Sequence, residues 1–560
     1  MSGAAPRAGS GAGSGADPGA DIGADPGAEP GAGVSAARTL ARAGMIVSGA
    51  FLFSRVLGWV RLVVIGNTVQ PTTELDAFIA AFRIPDLMYQ LVAAGALSSA
   101  LIPVLSSVMT TDGDRRAWRV VSTVTNLMLI GLAVLGVIVL LGADVIVPAF
   151  TGGFDPATMA RTIELTRIMV LSPILLALGS VATSVLNARG RFAAAALAPS
   201  VYNLAIIGAA FTLAPSIGAA GLAIGVVAGS LGHLLVQLRP LRAIGFHYEP
   251  IIDLADTAAR QALALMAPRA LGLGASQITF FVTTALATGL GVGAVTAFYY
   301  AFTLLQIPMG LIGVPLAVVL FPSLSREVAS GNHREFVALV TRALRFLTFV
   351  MLPIAVLVAI LRVEAVAVLF GGFERTVIES TATTLLAFMV GLVGHALIAV
   401  LARAFFALHD TRTPVGAAIV AVVMNTTLAV ALVEPLGLTG LALAIAIAAW
   451  LEATLLMVLL RRRVGLLGFA SVASLGVRTA LATAAAGVAA LIVHDRVGPL
   501  LAPDPSAGGF ANLPGLIGVL LIVGAAYASV FVVAALALRI EELRSIVGIM
   551  VDALRRPRRS

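Results

Sequence analysis

Arginine and hydrocarbon alternate along this chain in the pattern a lipid bilayer imposes. About fourteen apolar stretches, each near 20 residues or longer, run from Arg42 to Arg539. About 20 apolar residues in a helix cross the hydrocarbon core, and gaps on the cytoplasmic side collect basic residues. The gaps after even-numbered stretches hold Arg115, Arg116 and Arg119; Arg189 and Arg191; Arg239 and Arg242; Arg326 and Arg334; Arg412; and Arg461, Arg462 and Arg463. The gaps after odd-numbered stretches carry Glu74, Asp155, Glu374 and Glu434 and almost no arginine. Arg555, Arg556, Arg558 and Arg559 add positive charge at the C-terminal end. This spacing predicts a multi-pass protein with both termini cytoplasmic.

Composition narrows the class. Charged residues make up 11% of the 560, less than half the share of about 25% in soluble domains. The apolar runs are continuous and do not alternate, so the fold class expected is an all-α polytopic membrane protein and not a β-barrel. The net charge is +8 and every basic residue is Arg. Without Lys there is no Walker-A phosphate loop, which excludes a P-loop ATPase within this chain. Any motive force is therefore expected from the membrane potential or an ion gradient, with no cofactor. The arginines border membrane spans, which favours membrane lipids as partners and argues against nucleic acid. The absence of Cys excludes disulfides and thiolate chemistry.

Residues 1–37 repeat Gly, Ala, Pro and Asp and are expected to form a disordered cytoplasmic tail. The spans are placed at 42–68, 75–108, 119–150, 160–187, 192–214 and 217–238, then at 259–289, 294–325, 338–363, 377–408, 413–433 and 437–460, with two more at 472–494 and 514–539. The expected units are an N-lobe at 38–238 (spans 1–6), a connector at 239–256, a C-lobe at 257–463 (spans 7–12), spans 13 and 14 within 464–540, and a basic tail at 541–560. The two lobes repeat. Ser54, Ala81-Phe82, Ile84-Pro85, Ile102-Pro103 and Asn203 match Ser276, Ala301-Phe302, Ile307-Pro308, Phe321-Pro322 and Asn425 at an offset near 220 residues. Six spans per repeat keep both lobes in one orientation. That is a parallel repeat about the membrane normal, which predicts a cavity between lobes and alternating access by rocking.

A few arginines break the punctuation. Arg55, Arg61 and Arg83 fall inside spans, where a cation costs several kcal/mol and normally faces a cavity or a partner charge. Asp76, Arg83 and Asp86 are spaced by seven and three and share a helical face. Arg61 is rotated away from the face of Arg55. Arg269 adds a cation from span 7, and Gln277, Tyr299, Tyr300 and Gln306 offer hydrogen bonds. A cavity lined by guanidinium suits a phosphorylated substrate. The bland alternative makes Arg83 a structural ion pair with Asp76 or Asp86, and lets Arg61 reach outward to the interface. His233 and His395 read as packing residues before proton relays. Asn203 and Asn425 are candidate supports for an ion site. No metal motif and no hydrolase or transferase centre is present, so an enzyme is not expected.

Seven ordered motifs then carry a resemblance. They are Phe53-Ser54-Arg55-Val56-Leu57-Gly58 with Arg61; Asp76-Ala77-Phe78 with Ala81-Phe82-Arg83-Ile84-Pro85; Gly95-Ala96 to Ile102-Pro103; Phe321-Pro322-Ser323-Leu324-Ser325; Ser330-Gly331-Asn332-His333; Leu369-Phe370-Gly371-Gly372-Phe373; and Ala404-Phe405-Phe406-Ala407-Leu408-His409-Asp410 to Thr413-Pro414. Over residues 40 to 540 the chain resembles the MurJ (MviN) family of lipid II flippases, within the multidrug/oligosaccharidyl-lipid/polysaccharide exporter superfamily. The resemblance implies two lobes, a last helix pair forming a lipid groove, and transfer of undecaprenyl-diphosphate-linked peptidoglycan precursor (lipid II) from the inner to the outer leaflet of a bacterial plasma membrane. Cell-wall synthesis and division proteins are the implied protein partners. Arg55, Arg61, Asp76 and Arg83 carry over. The further arginines of spans 2 and 8 do not, since those stretches read Met88-Tyr89-Gln90 and Phe302-Thr303. Arg269 is the candidate to compensate, with Asp86, Gln277 and Asn425 in support. A multidrug or polysaccharide exporter of the same superfamily, and a non-transporting scaffold of the cell-wall complex, are the alternatives.

Overall fold

A computed structural model describes residues 49–50, 52–69, 72–92, 96–465, 468–506 and 512–544; side chains at 92, 96–100, 267–276 and 469 lie outside that description. The expected tail at 1–37 and residues 545–560 of the basic tail also fall outside it. Every regular element among the described residues is helical. Ten helices are long and apolar enough to cross a membrane unaided. Helix Arg412–Val464 holds two of the expected spans, span 7 is the 32-residue helix Thr257–Thr288, and residues 52–68 and the helices of span 2 supply the remainder, which accommodates fourteen crossings.

Local chemistry explains the interruptions. Span 2 is built from helices Thr73–Ala81, Arg83–Val92 and Ala96–Thr111. Pro85 removes a backbone donor next to the break at Phe82, whereas Pro103 lies within helix Ala96–Thr111. Span 8 runs as Ala294–Pro308, a π-helical turn Met309–Gly313, and Val314–Ala329, with Pro308 and Pro315 flanking the widened turn. The loop expected between spans 11 and 12 is instead a kink. Gly437, at φ 55° and ψ −134°, is non-helical and joins two helices at that point. A side chain there would be strained, so glycine makes the bend possible.

Helix ends carry their own caps. Asp155 accepts from Ala157 N and Thr158 N ahead of Pro156, which starts span 4. Asp256 does the same for Ala258 N and Ala259 N at the start of helix Thr257–Thr288, and also accepts Arg116 Nε at 2.9 Å. The connector is shorter than expected, because helix Ala219–Ala243 runs past 239. Its extended part lies on span 3, where Glu249 N donates to Ser122 Oγ (3.0 Å) and Asn126 Nδ2 to Ile251 O (2.8 Å). Spans 13 and 14 dock on the spans before them. Tyr527 Oη donates to Pro353 O (2.9 Å), Arg345 reaches Ser471 and Glu542, and His494 meets the buried Glu364 at 2.6 Å.

Hydrogen bonds join the first six spans to the next six at the arginine-poor end. Asn67 Nδ2 donates to Leu369 O (3.0 Å) and its Oδ1 accepts from Gly372 N (2.7 Å). Gly153 N donates to Thr288 Oγ1 at 3.3 Å. A Cβ on Gly153 would stand 2.3 Å from Gly289 N, so the two loops touch backbone to backbone. Above all, Asp76 accepts from Gly293 N (2.6 Å), Thr296 N (2.8 Å) and Thr296 Oγ1 (2.6 Å). A carboxylate on the first turn of helix Ala294–Pro308 satisfies donors that no intrahelical carbonyl reaches, and opposes the helix dipole.

Candidate functional site

Directly beneath that seal lies a small cavity of about 50 Å³. Arg61 and Arg83 both line it, with Phe82, Tyr202, Tyr299 and Tyr300 among its walls. Neither guanidinium forms an ion pair with a described carboxylate. Aromatic rings hold them instead. Arg61 lies 5.7 Å from the centre of the Tyr202 ring. Arg83 lies 5.2 Å from that of Phe280 and 5.7 Å from that of Tyr299, and its Nε donates to Thr284 Oγ1 at 3.2 Å. Cation–π contacts keep guanidinium planes oriented without neutralising them. The remaining N–H groups stay free to bind an anion. Tyr300 roofs the space. It is 1% exposed, donates to Leu62 O (3.2 Å) and packs edge-on against Phe370 and Phe373.

The other predicted residues go elsewhere. Asp76, expected in the cavity, is a correction: it shares the face of Arg83, but two helical turns place it about 10 Å nearer the arginine-poor end, inside the seal. Asp86 does not pair with Arg83 either; its Oδ2 accepts from Gln90 Nε2 at 2.8 Å. Arg55 is exposed and lies outside the cavity wall, one and a half turns toward the arginine-rich end. Its guanidinium rests on the π-helical turn of span 8, where a Cβ on Gly310 would stand 2.3 Å from Arg55 Nη2. Arg269 sits in helix Thr257–Thr288, but its side chain lies outside the described residues. Gln277 is buried and is not a wall of the cavity. Asn425 belongs to a separate space within the second six spans, with His395 and Glu452. Its amide atoms have no described hydrogen-bond partner, unlike Asn203, which donates to Ser54 O. Tyr202, Phe280 and Thr284 were not legible as site residues, because an aromatic or a Thr inside an apolar span carries no signal of what it faces.

Gly310 gives a direct test of Arg55. The tip of a flexible side chain yields easily, so Gly310→Ala is expected to fold normally, gaining roughly 0.5–1 kcal/mol of helix stability, while pushing Arg55 off its perch. If Arg55 serves transport from that perch, Gly310→Ala and Arg55→Ala should lower transport to a similar extent. A thermal melt beside a transport assay checks both arms, and unchanged transport would remove Arg55 from the site.

The fold and site define a class first: a multi-pass helical bundle with a cationic, aromatic-walled cavity between its halves. A solved structure of lipid II flippase MurJ in an inward closed conformation matches with a TM-score of 0.70 at 22% identity, covering 87% of this chain and 98% of that one. An inward-facing multidrug resistance MATE transporter matches at 0.61 and 17% identity, over 75% and 98%. The family model described as lipid II flippase MurJ matches residues 68–502. The lipid II flippase MurJ of Burkholderia cenocepacia is 33% identical over 434 residues, 76% of this chain and 84% of that protein. The probable lipid II flippase MurJ of Rhizobium tropici is 30% identical over 508 residues, 89% and 94%. The chain belongs to the MurJ lipid II flippase family.

Proposed function

We propose that this protein carries lipid II from the inner to the outer leaflet of a bacterial plasma membrane, with both termini in the cytoplasm. One observation carries the reading: two arginines share one cavity between the halves, neither in direct ion-pair contact with a described carboxylate, with Asp86 attracting Arg83 only across a longer gap. A diphosphate supplies the missing charge. Its sugars and phosphates would lose their water in hydrocarbon, so a polar passage is needed for the head while the polyprenyl tail stays in lipid. The arginine-rich end faces the cytoplasm on this orientation, which makes the Asp76 seal the outer gate and loads the cavity from inside. The halves then rock to open the other side, driven by the membrane potential or an ion gradient. MATE drug exporters share the fold, but an uncompensated pair of cations repels the cationic drugs an exporter would carry.

The test is replacement of the resident flippase in a depleted bacterial host. Growth should be restored, and lipid II should become accessible at the outer face. A chain that is inserted at normal levels yet exposes no lipid II would end this assignment.

A further inference from the structure

Arg83 belongs to the first six spans, but the rings and the hydrogen-bond acceptor in contact with its guanidinium belong to the next six. Phe280 and Thr284 come from span 7 and Tyr299 from span 8. The same segment carries the outer seal: Thr288 and Gly293 lie within nine residues of Thr284, and Thr296 is three before Tyr299. Moving Gly293 and Thr296 away from Asp76 therefore also moves the shelf beneath Arg83.

We infer, resting on the function proposed above, that the diphosphate site is a composite which exists only while the outer gate is shut. Phe280, Thr284 and Tyr299 are its positioning residues. With the gate closed, Arg83 is stacked, its Nε is occupied by Thr284, and its terminal N–H groups are aimed at the cavity beside Arg61. With the gate open, Arg83 loses its stacking partners and its hydrogen bond, and the two cations no longer act on one anion. Affinity is then high facing in and low facing out. That difference releases the head at the outer leaflet without a nucleotide, because a ligand shifts an equilibrium only through its unequal affinity for the two states.

Binding of undecaprenyl diphosphate to the purified full chain in nanodiscs tests this. Tyr299→Phe keeps the ring and should bind within about twofold of the parent, whereas Tyr299→Leu should bind roughly tenfold more weakly. Asp76→Ala is the decisive variant, since Asp76 itself does not line the cavity. It should weaken binding by a similar factor while opening the gate. Because the chain has no Cys, opening is read by maleimide labelling from the outer side at Leu75→Cys, a buried cavity-wall position. Labelling that rises in Asp76→Ala with binding unchanged would overturn the composite site alone, as would full binding by Tyr299→Leu. A parent chain that does not bind undecaprenyl diphosphate at all would overturn the function and this inference together.

Discussion

Replacing Arg83 with Ala should abolish complementation and at the same time make the protein more stable. The two effects have opposite signs for one reason. A guanidinium held inside the bundle without a contact ion pair costs roughly 2.5–3.5 kcal/mol on insertion scales, offset here only in part by its rings, by Thr284 and by the more distant Asp86. Removing it relieves that cost. Its loss from a bound diphosphate removes charge-assisted hydrogen bonds worth roughly 1.5–3 kcal/mol, or about ten- to a hundredfold in affinity. Arg61→Ala should behave likewise, and the double variant should lose nearly all transport. Thermal unfolding in detergent, read beside lipid II accessibility in cells, separates the arms. A structural ion pair would give the reverse: destabilisation with any loss of transport following from it. If Arg83→Ala complements fully, the cavity is not the passage.

Asp76→Ala should leave the protein folded but shift its resting state. In the closed form the substitution strands Gly293 N and Thr296 N, buried donors that cost roughly 1–3 kcal/mol each when unpaired. An open gate lets water reach them, so the penalty falls on one state. About 3 kcal/mol moves the balance more than a hundredfold toward the open form. Outer-side labelling at Leu75→Cys should rise from near zero to near completion. Asp76→Asn keeps one acceptor but brings an amide N–H toward the backbone donors, so it should be intermediate. Unchanged labelling in both would mean that the loop contact at Gly153 and the Asn67 bonds close the gate without Asp76.

The face shared by Asp76 and Arg83 was legible from a spacing of seven, because helical periodicity survives the distortion near Pro85. Their roles were not. Two turns of depth separate a seal from a cavity, and depth has meaning only once the opposing helix is in place. The rotation of Arg61 away from Arg55 was likewise legible, and the structure places only Arg61 in the cavity wall. Asn203 and Asn425 looked equivalent in sequence, yet one is bonded to span 1 and the other faces a void in its own half.

Read alone, the chain determined that it is a helical membrane protein of about fourteen crossings, because apolar length and arginine placement are one-dimensional quantities that a bilayer reads span by span. Tertiary structure decided which end is sealed, which cations share a space, and which rings hold them. Those are meetings between residues some 200 positions apart, such as Arg83 with Thr284 and Asp76 with Thr296. Helix packing sets them, and no local pattern encodes which side chain will stand opposite another.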